Sequence, residues 1–129
     1  MTGVDTNILV RFLTGDDPGQ SEKARVVLKR ADIVIAETVM LETEWVLRHA
    51  YGFETKAIHG AFVKLCGLPN ISLPNAHRMQ IAFQWYKDGM DFGDALHLAA
   101  SQACESFFSF DRKLIHKAAG RGQCKVKEP

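Results

Sequence analysis

The sequence predicts an α/β fold built on a mainly parallel sheet. Short apolar runs at Gly3-Val4 and at residues 33–36, 71–73 and 107–110 alternate with stretches that carry helical periodicity. Strands separated by helical crossovers pair parallel, whereas hairpins need only a tight turn. Two of the runs also end in an acid where a helix begins: Asp5 after Val4, and Asp111 after Phe110. In an open parallel sheet both acids belong to the rim outside the strands' carboxyl ends, where ligand crevices form.

Taken in order, Val4 closes the first strand and Ile8-Leu9-Val10-Arg11-Phe12-Leu13 continues as a helix. Thr14-Gly15-Asp16-Asp17-Pro18-Gly19 is a dense turn signal, and residues 21–30 follow as a helix with Ala24, Val27 and Leu28 on one face. The β-branched run 33–36 suits a strand buried on both faces. A helix over 38–49 stops near Gly52, and another over 55–66 stops at Gly67-Leu68-Pro69. Ile71-Ser72-Leu73 forms a strand before Pro74, and Asn75 caps a helix running to Tyr86 and closed by Asp88-Gly89. Asp91 opens a helix to Cys104, the strand 107–110 leads to a helix from Asp111, and 125–127 is an edge strand. No linker, repeat or low-complexity stretch interrupts 1–129, so a single domain is expected.

Composition narrows the function classes. With 47% hydrophobic and 24% charged residues a proper core is attainable and disorder is excluded. A formal net charge of +1 points to no partner by itself, but Arg112, Lys113, Lys117, Arg121, Lys125 and Lys127 make the C-terminal end locally positive. The three cysteines lack any C-x-x-C spacing, which excludes a zinc knuckle and a disulfide framework and suits a reducing cytosol. Cys66 and Cys104 read as small buried apolar residues in helices. No basic-then-apolar leader and no membrane-length apolar run is present, so a cytoplasmic location without membrane association is expected.

The acids carry the chemistry. Asp5 is placed either to cap the first helix or to face the rim. Within 38–49, Glu44 has Arg48 four residues on and reads as a solvated surface pair. Glu42 has Thr38, Val39, Trp45 and Val46 around it and no cation, so its charge needs an outside partner or a metal. Asp91 and Asp94 open the next helix. Asp91 suits the N-cap, while Asp94 shares a stripe with Leu98 and turns partly inward. Asp5, Glu42, Asp94 and Asp111 thus offer four carboxylates from four segments, and an all-oxygen set selects Mg²⁺ or Mn²⁺. Four such groups brought together repel unless a cation neutralises them. That cation polarises a phosphoryl oxygen and lowers the pKa of a bound water. Thr6 and Asn7 supply a hydroxyl and an amide beside Asp5, for capping or for orienting it. The five histidines are scattered; His97, on the same helix as Asp94, reads as a packing residue, and Trp85 and Tyr86 as core or dimer contacts.

These residues resemble those of PIN-domain ribonucleases, and among them the VapC-type toxins of toxin–antitoxin pairs. The resemblance rests on Val4-Asp5-Thr6-Asn7, Val39-Met40-Leu41-Glu42 with Trp45-Val46-Leu47-Arg48, Asp91-Phe92-Gly93-Asp94-Ala95-Leu96 and Phe108-Ser109-Phe110-Asp111, which span nearly the whole chain. It implies a three-layer α/β/α domain with a central sheet of four to five short strands. Asp5, Glu42 and Asp94 match the three central acids and Asp111 the more variable fourth. Asp91 stays open between cap and site. The resemblance further implies Mg²⁺- or Mn²⁺-dependent hydrolysis of RNA by an activated water, homodimers, and an antitoxin partner whose segment blocks the acidic groove. Asp5 and Asp94 are then direct metal ligands, Glu42 acts through water, and Arg112, Lys113 and Lys117 are candidates for holding RNA phosphates.

Two other readings fit parts of the chain. An aspartyl-phosphate phosphotransferase also places Asp at a strand end, but wants a second Asp two residues on, where this chain has Asn7. A catalytically silent binding module on the same fold would not need all four acids. A dinucleotide-binding domain is disfavoured because no Gly-rich loop follows the first strand.

Overall fold

A computed structural model describes residues 1–129. The chain forms two compact units, Met1–Ala76 and His77–Pro129. All of its strand pairs are parallel, as the alternation of strands and helices requires. The five strands fall into a three-stranded sheet and a two-stranded one.

In the first unit β1 (Thr2–Gly3), β2 (Ile33–Val34) and β3 (Ile71–Ser72) pair in that order, with Thr2 opposite Ile33 and Ile33 opposite Ile71. Helices α1 (Thr6–Thr14) and α2 (Pro18–Arg30) make the first crossover, and α3 (Glu37–His49) and α4 (Thr55–Cys66) the second. Helix α1 buries Leu9 and Val10, α2 Ala24 and Leu28, and α4 Ile58, Phe62 and Leu65, around a fully buried Ile33. Gly15 ends α1 at φ 66°, a left-handed conformation glycine adopts without strain. Helix α4 has the expected bounds. Helix α2 begins three residues earlier than the periodicity indicates, because Asp17 accepts the Gln20 amide and Pro18 sits at the first helical position. Part of the expected turn is therefore its first turn.

Helix α3 faces the other way from expectation. Its buried residues are Met40, Thr43, Glu44 and Leu47, an i, i+3, i+4, i+7 stripe. Glu44 is 1% exposed, not solvated, and its carboxylate accepts from Arg48 Nε at 2.7 Å. Thr43 returns its hydroxyl to the Val39 carbonyl at 2.7 Å. Both polar members of the stripe are thus satisfied, which lets it face inward. Glu42 is exposed instead, as is Trp45.

In the second unit α5 (Ala76–Lys87), α6 (Phe92–Ala100) and α7 (Arg112–Ala118) accompany β4 (Ser106–Phe108) and β5 (Lys125–Lys127), which pair with each other. Phe92 is fully buried, its ring 6.0 Å from that of Phe83 and 5.0 Å from that of Tyr86. Trp85 and Tyr86 are buried, as expected. Helix α6 ends at Ala100, short of the expected Cys104, where Ser101 returns its hydroxyl to the His97 carbonyl. Cys104 consequently lies exposed in the following turn, not buried in a helix. Cys66 is half-buried and Cys124 buried. No helix is long and apolar enough to cross a membrane.

Candidate active site

Each unit contributes a cluster of the residues singled out from the sequence. In the first, the chain leaves β1, extends through Asp5 and enters α1. Asp5 is the N-cap: it has extended backbone angles and its Oδ1 accepts the Thr6 amide at 2.7 Å. Thr6 is buried, and its hydroxyl donates to Glu42 Oε1. Thr6 therefore touches both Asp5 and Glu42, through its backbone and its side chain respectively. Sequence spacing does not reveal this link, because the two partners are 36 residues apart. Asn7 lies exposed beside them.

In the second unit the candidate acids are Asp91, Asp94 and Asp111, with Asp91 and Asp111 near enough to Asp94 to act on it electrostatically. Asp91 is the N-cap of α6, its Oδ2 accepting the Asp94 amide at 3.1 Å. Asp111 caps α7, accepting the amides of Lys113 at 2.9 Å and Leu114 at 3.2 Å. The Ser109 hydroxyl, which the motif Phe108-Ser109-Phe110-Asp111 includes without assigning it a role, accepts the Asp111 amide at 3.0 Å, and the Ser-x-Asp spacing is its signal. Asp94 is half-buried, and partial burial pushes its carboxyl above the usual range; the charges of Asp91 and Asp111 add to this and His97 opposes it. His97 is exposed rather than packed, and it lies near enough to Asp94 to act on it electrostatically. Arg112, Lys113 and Lys117 are exposed on α7, with Arg112 Nε 3.5 Å from Glu128.

The donors in both clusters suit a hard divalent cation. They are carboxylates and hydroxyls with no thiolate among them, and the like charges around Asp94 are what a cation would relieve. Within neither unit do three His, Cys, Asp or Glu side chains converge into a ready metal group. Mg²⁺ accepts such sparse coordination, because it keeps several waters and takes one or two carboxylates.

The family profile for the PIN domain matches residues 4–120. The chain belongs to the PIN domain family. The matched part of this PIN domain runs from Val4 to Gly120 and includes all four candidate acids. No curated protein sequence matches it. Among solved structures, the PIN domain is similar to the crystal structure of VapC20 from Mycobacterium tuberculosis, a toxin that cleaves the sarcin-ricin loop. Identity is 20%, covering 92% of this chain and 94% of that one, with a TM-score of 0.42.

Proposed function

We propose that this PIN domain is a metal-dependent endoribonuclease, the VapC-type toxin of a toxin–antitoxin pair, and that its two units work as one domain over residues 1–129. The observation that supports the reading most is the PIN domain match over 4–120, with acids at Asp5, Glu42, Asp94 and Asp111. In this reading Asp5 and Asp94 hold Mg²⁺ or Mn²⁺. When bound, the ion supplies Lewis acidity toward a phosphoryl oxygen and eases deprotonation of water near neutral pH. Glu42, fixed by the Thr6 hydroxyl, accepts a hydrogen bond from the attacking water and aims it at phosphorus. Asp111 adds negative charge for the cation, and its capping bonds keep its carboxylate in one orientation. Arg112, Lys113 and Lys117 hold RNA phosphates. Water adds to phosphorus and gives up a proton, the bond to one ribose oxygen breaks, and that oxygen takes up a proton from solvent and leaves as a hydroxyl.

The same acids are a docking point for an antitoxin: an arginine from its C-terminal segment pairs with carboxylates by bidentate hydrogen bonds and takes the cation's place. The working form is a homodimer in the cytoplasm.

The test is cleavage of RNA by wild type, Asp5→Ala and Asp94→Ala with Mg²⁺ or Mn²⁺ and with EDTA. Cleavage by wild type alone, abolished by EDTA, is expected. Equal cleavage by wild type and either variant overturns the assignment. Formation of a beryllium fluoride adduct on Asp5 would favour the phosphotransferase reading instead.

A further inference from the structure

The two-stranded sheet of the second unit presents exposed aromatic rings next to lysines. Phe108 is 59% and Phe110 81% exposed, unusual for phenylalanine. Pairing with β5 continues past the end of β4, since the Ser109 amide donates to the Lys127 carbonyl at 3.1 Å. Phe110 lies beyond β4, in a bend two residues after Phe108 and directly before Asp111. The register sets Phe108 opposite Lys127, whose Nζ lies 5.7 Å from the centre of the Phe108 ring. Lys125 is exposed one strand alternation before Lys127, and Arg112 follows Asp111 with its side chain 89% exposed.

We infer that this face is a stacking platform for unpaired bases of single-stranded RNA. Exposed rings accept unpaired bases, whose faces are free, and cannot reach bases stacked inside a closed helix. Aromatic faces take any base, and adjacent cations hold the backbone phosphates, the combination that single-stranded nucleic acid requires. Lys127 lies over the Phe108 ring, within reach of the phosphate of a base stacked there. Charge complementarity favours RNA over a second copy of this chain, which would bring its own Lys125 and Lys127 against these. The platform leads into Asp111, so it feeds a strand toward one of the proposed site's acids. The inference rests on the ribonuclease reading for the choice of RNA as occupant.

The test is fluorescence anisotropy with a short fluorescein-labelled RNA, single-stranded and as a duplex of the same sequence, in EDTA so that binding is separated from cleavage. Wild type is expected to prefer the single strand. Phe108→Ala and Phe110→Ala should each weaken single-strand binding roughly tenfold with little effect on the duplex. Phe110→Trp should restore binding, and Lys127→Glu should flatten its salt dependence. Single-strand affinity unchanged in both alanine variants, or equal affinity for the duplex, overturns the platform. So does a shift from dimer to monomer in sedimentation of Phe110→Ala, which would assign the face to a second copy. If wild type binds single strands through these rings but cuts no RNA with any divalent ion, the ribonuclease reading fails and the platform stands.

Discussion

The Thr6 hydroxyl donates to Glu42, tying the first turn of α1 to the exposed face of α3. A buried threonine thereby holds an exposed carboxylate in place. A hydrogen bond to a charged group contributes ~1.5–3 kcal/mol, and Glu42's exposure lowers that. Thr6→Val keeps the shape and removes the donor, so it should cost about 1–2 kcal/mol in urea unfolding. It should also slow RNA cleavage, because Glu42 is no longer aimed. Thr6→Ser should recover most of both. Cleavage unchanged in Thr6→Val would separate this bond from the chemistry.

Glu44 and Glu42 should respond oppositely to substitution. Glu44 is fully buried and Arg48 provides its guanidinium at 2.7 Å. Arg48→Ala takes its guanidinium from that buried charge, and the expected loss is about 2–4 kcal/mol, below the full value for a buried pair because Arg48 is partly exposed. Glu42→Gln should shift the urea midpoint little while abolishing cleavage. A large stability loss for Glu42→Gln would contradict its exposed placement.

Asp16 gives the acid side of the stability curve a specific contributor. The Tyr51 hydroxyl, then the Thr14 hydroxyl and the Arg11 guanidinium, hold its carboxyl down to about 2. The unfolded chain therefore takes up a proton at higher pH than the folded one, and stability rises with pH across that interval. The contribution is present above the ordinary carboxylate range and lost as pH falls toward about 2. Wild type should melt above Asp16→Asn near neutral pH, and the gap should close in strong acid. A gap independent of pH would rule out the charge as its source.

Asp94 should behave in the reverse sense when no metal is added. Its charge is opposed by partial burial and by Asp91 and Asp111. Asp94→Asn removes that repulsion, so the variant should be slightly more stable than wild type in EDTA, by less than ~1 kcal/mol because solvent screens a half-buried group. Added Mn²⁺ should raise the wild-type midpoint by mass action, by about 2.7 kcal/mol of stability at a hundredfold excess over Kd. The variant should lose that gain. Equal Mn²⁺ stabilisation of the two proteins would move the metal away from Asp94.

The strand–helix alternation and the four family motifs were legible because each is local: a short β-branched run, a capping acid, a Gly-Leu-Pro stop. Helix α4 is a case where periodicity and the Gly67-Leu68-Pro69 stop give the observed bounds. Helix α3 shows what local patterns miss. Two of the four residues in its buried stripe are polar, Thr43 and Glu44, so apolar spacing around Trp45 and Val46 pointed to the wrong face. The hydrogen bonds to Val39 and Arg48 let the polar pair sit inside. The Thr6–Glu42 bond joins residues far apart in sequence, and no periodicity reports it.

The outward turn of α3 leaves an optical reporter beside Glu42. Trp45 is 56% exposed at the next turn with its ring 4.7 Å from that of His49, whereas Trp85, the other tryptophan, is 7% exposed. Iodide in solution therefore reaches one indole and is denied the other. If the proposed function holds, RNA or an antitoxin segment settling over Glu42 should shade that indole and blue-shift its emission, so occupancy could be followed by native fluorescence with no label attached.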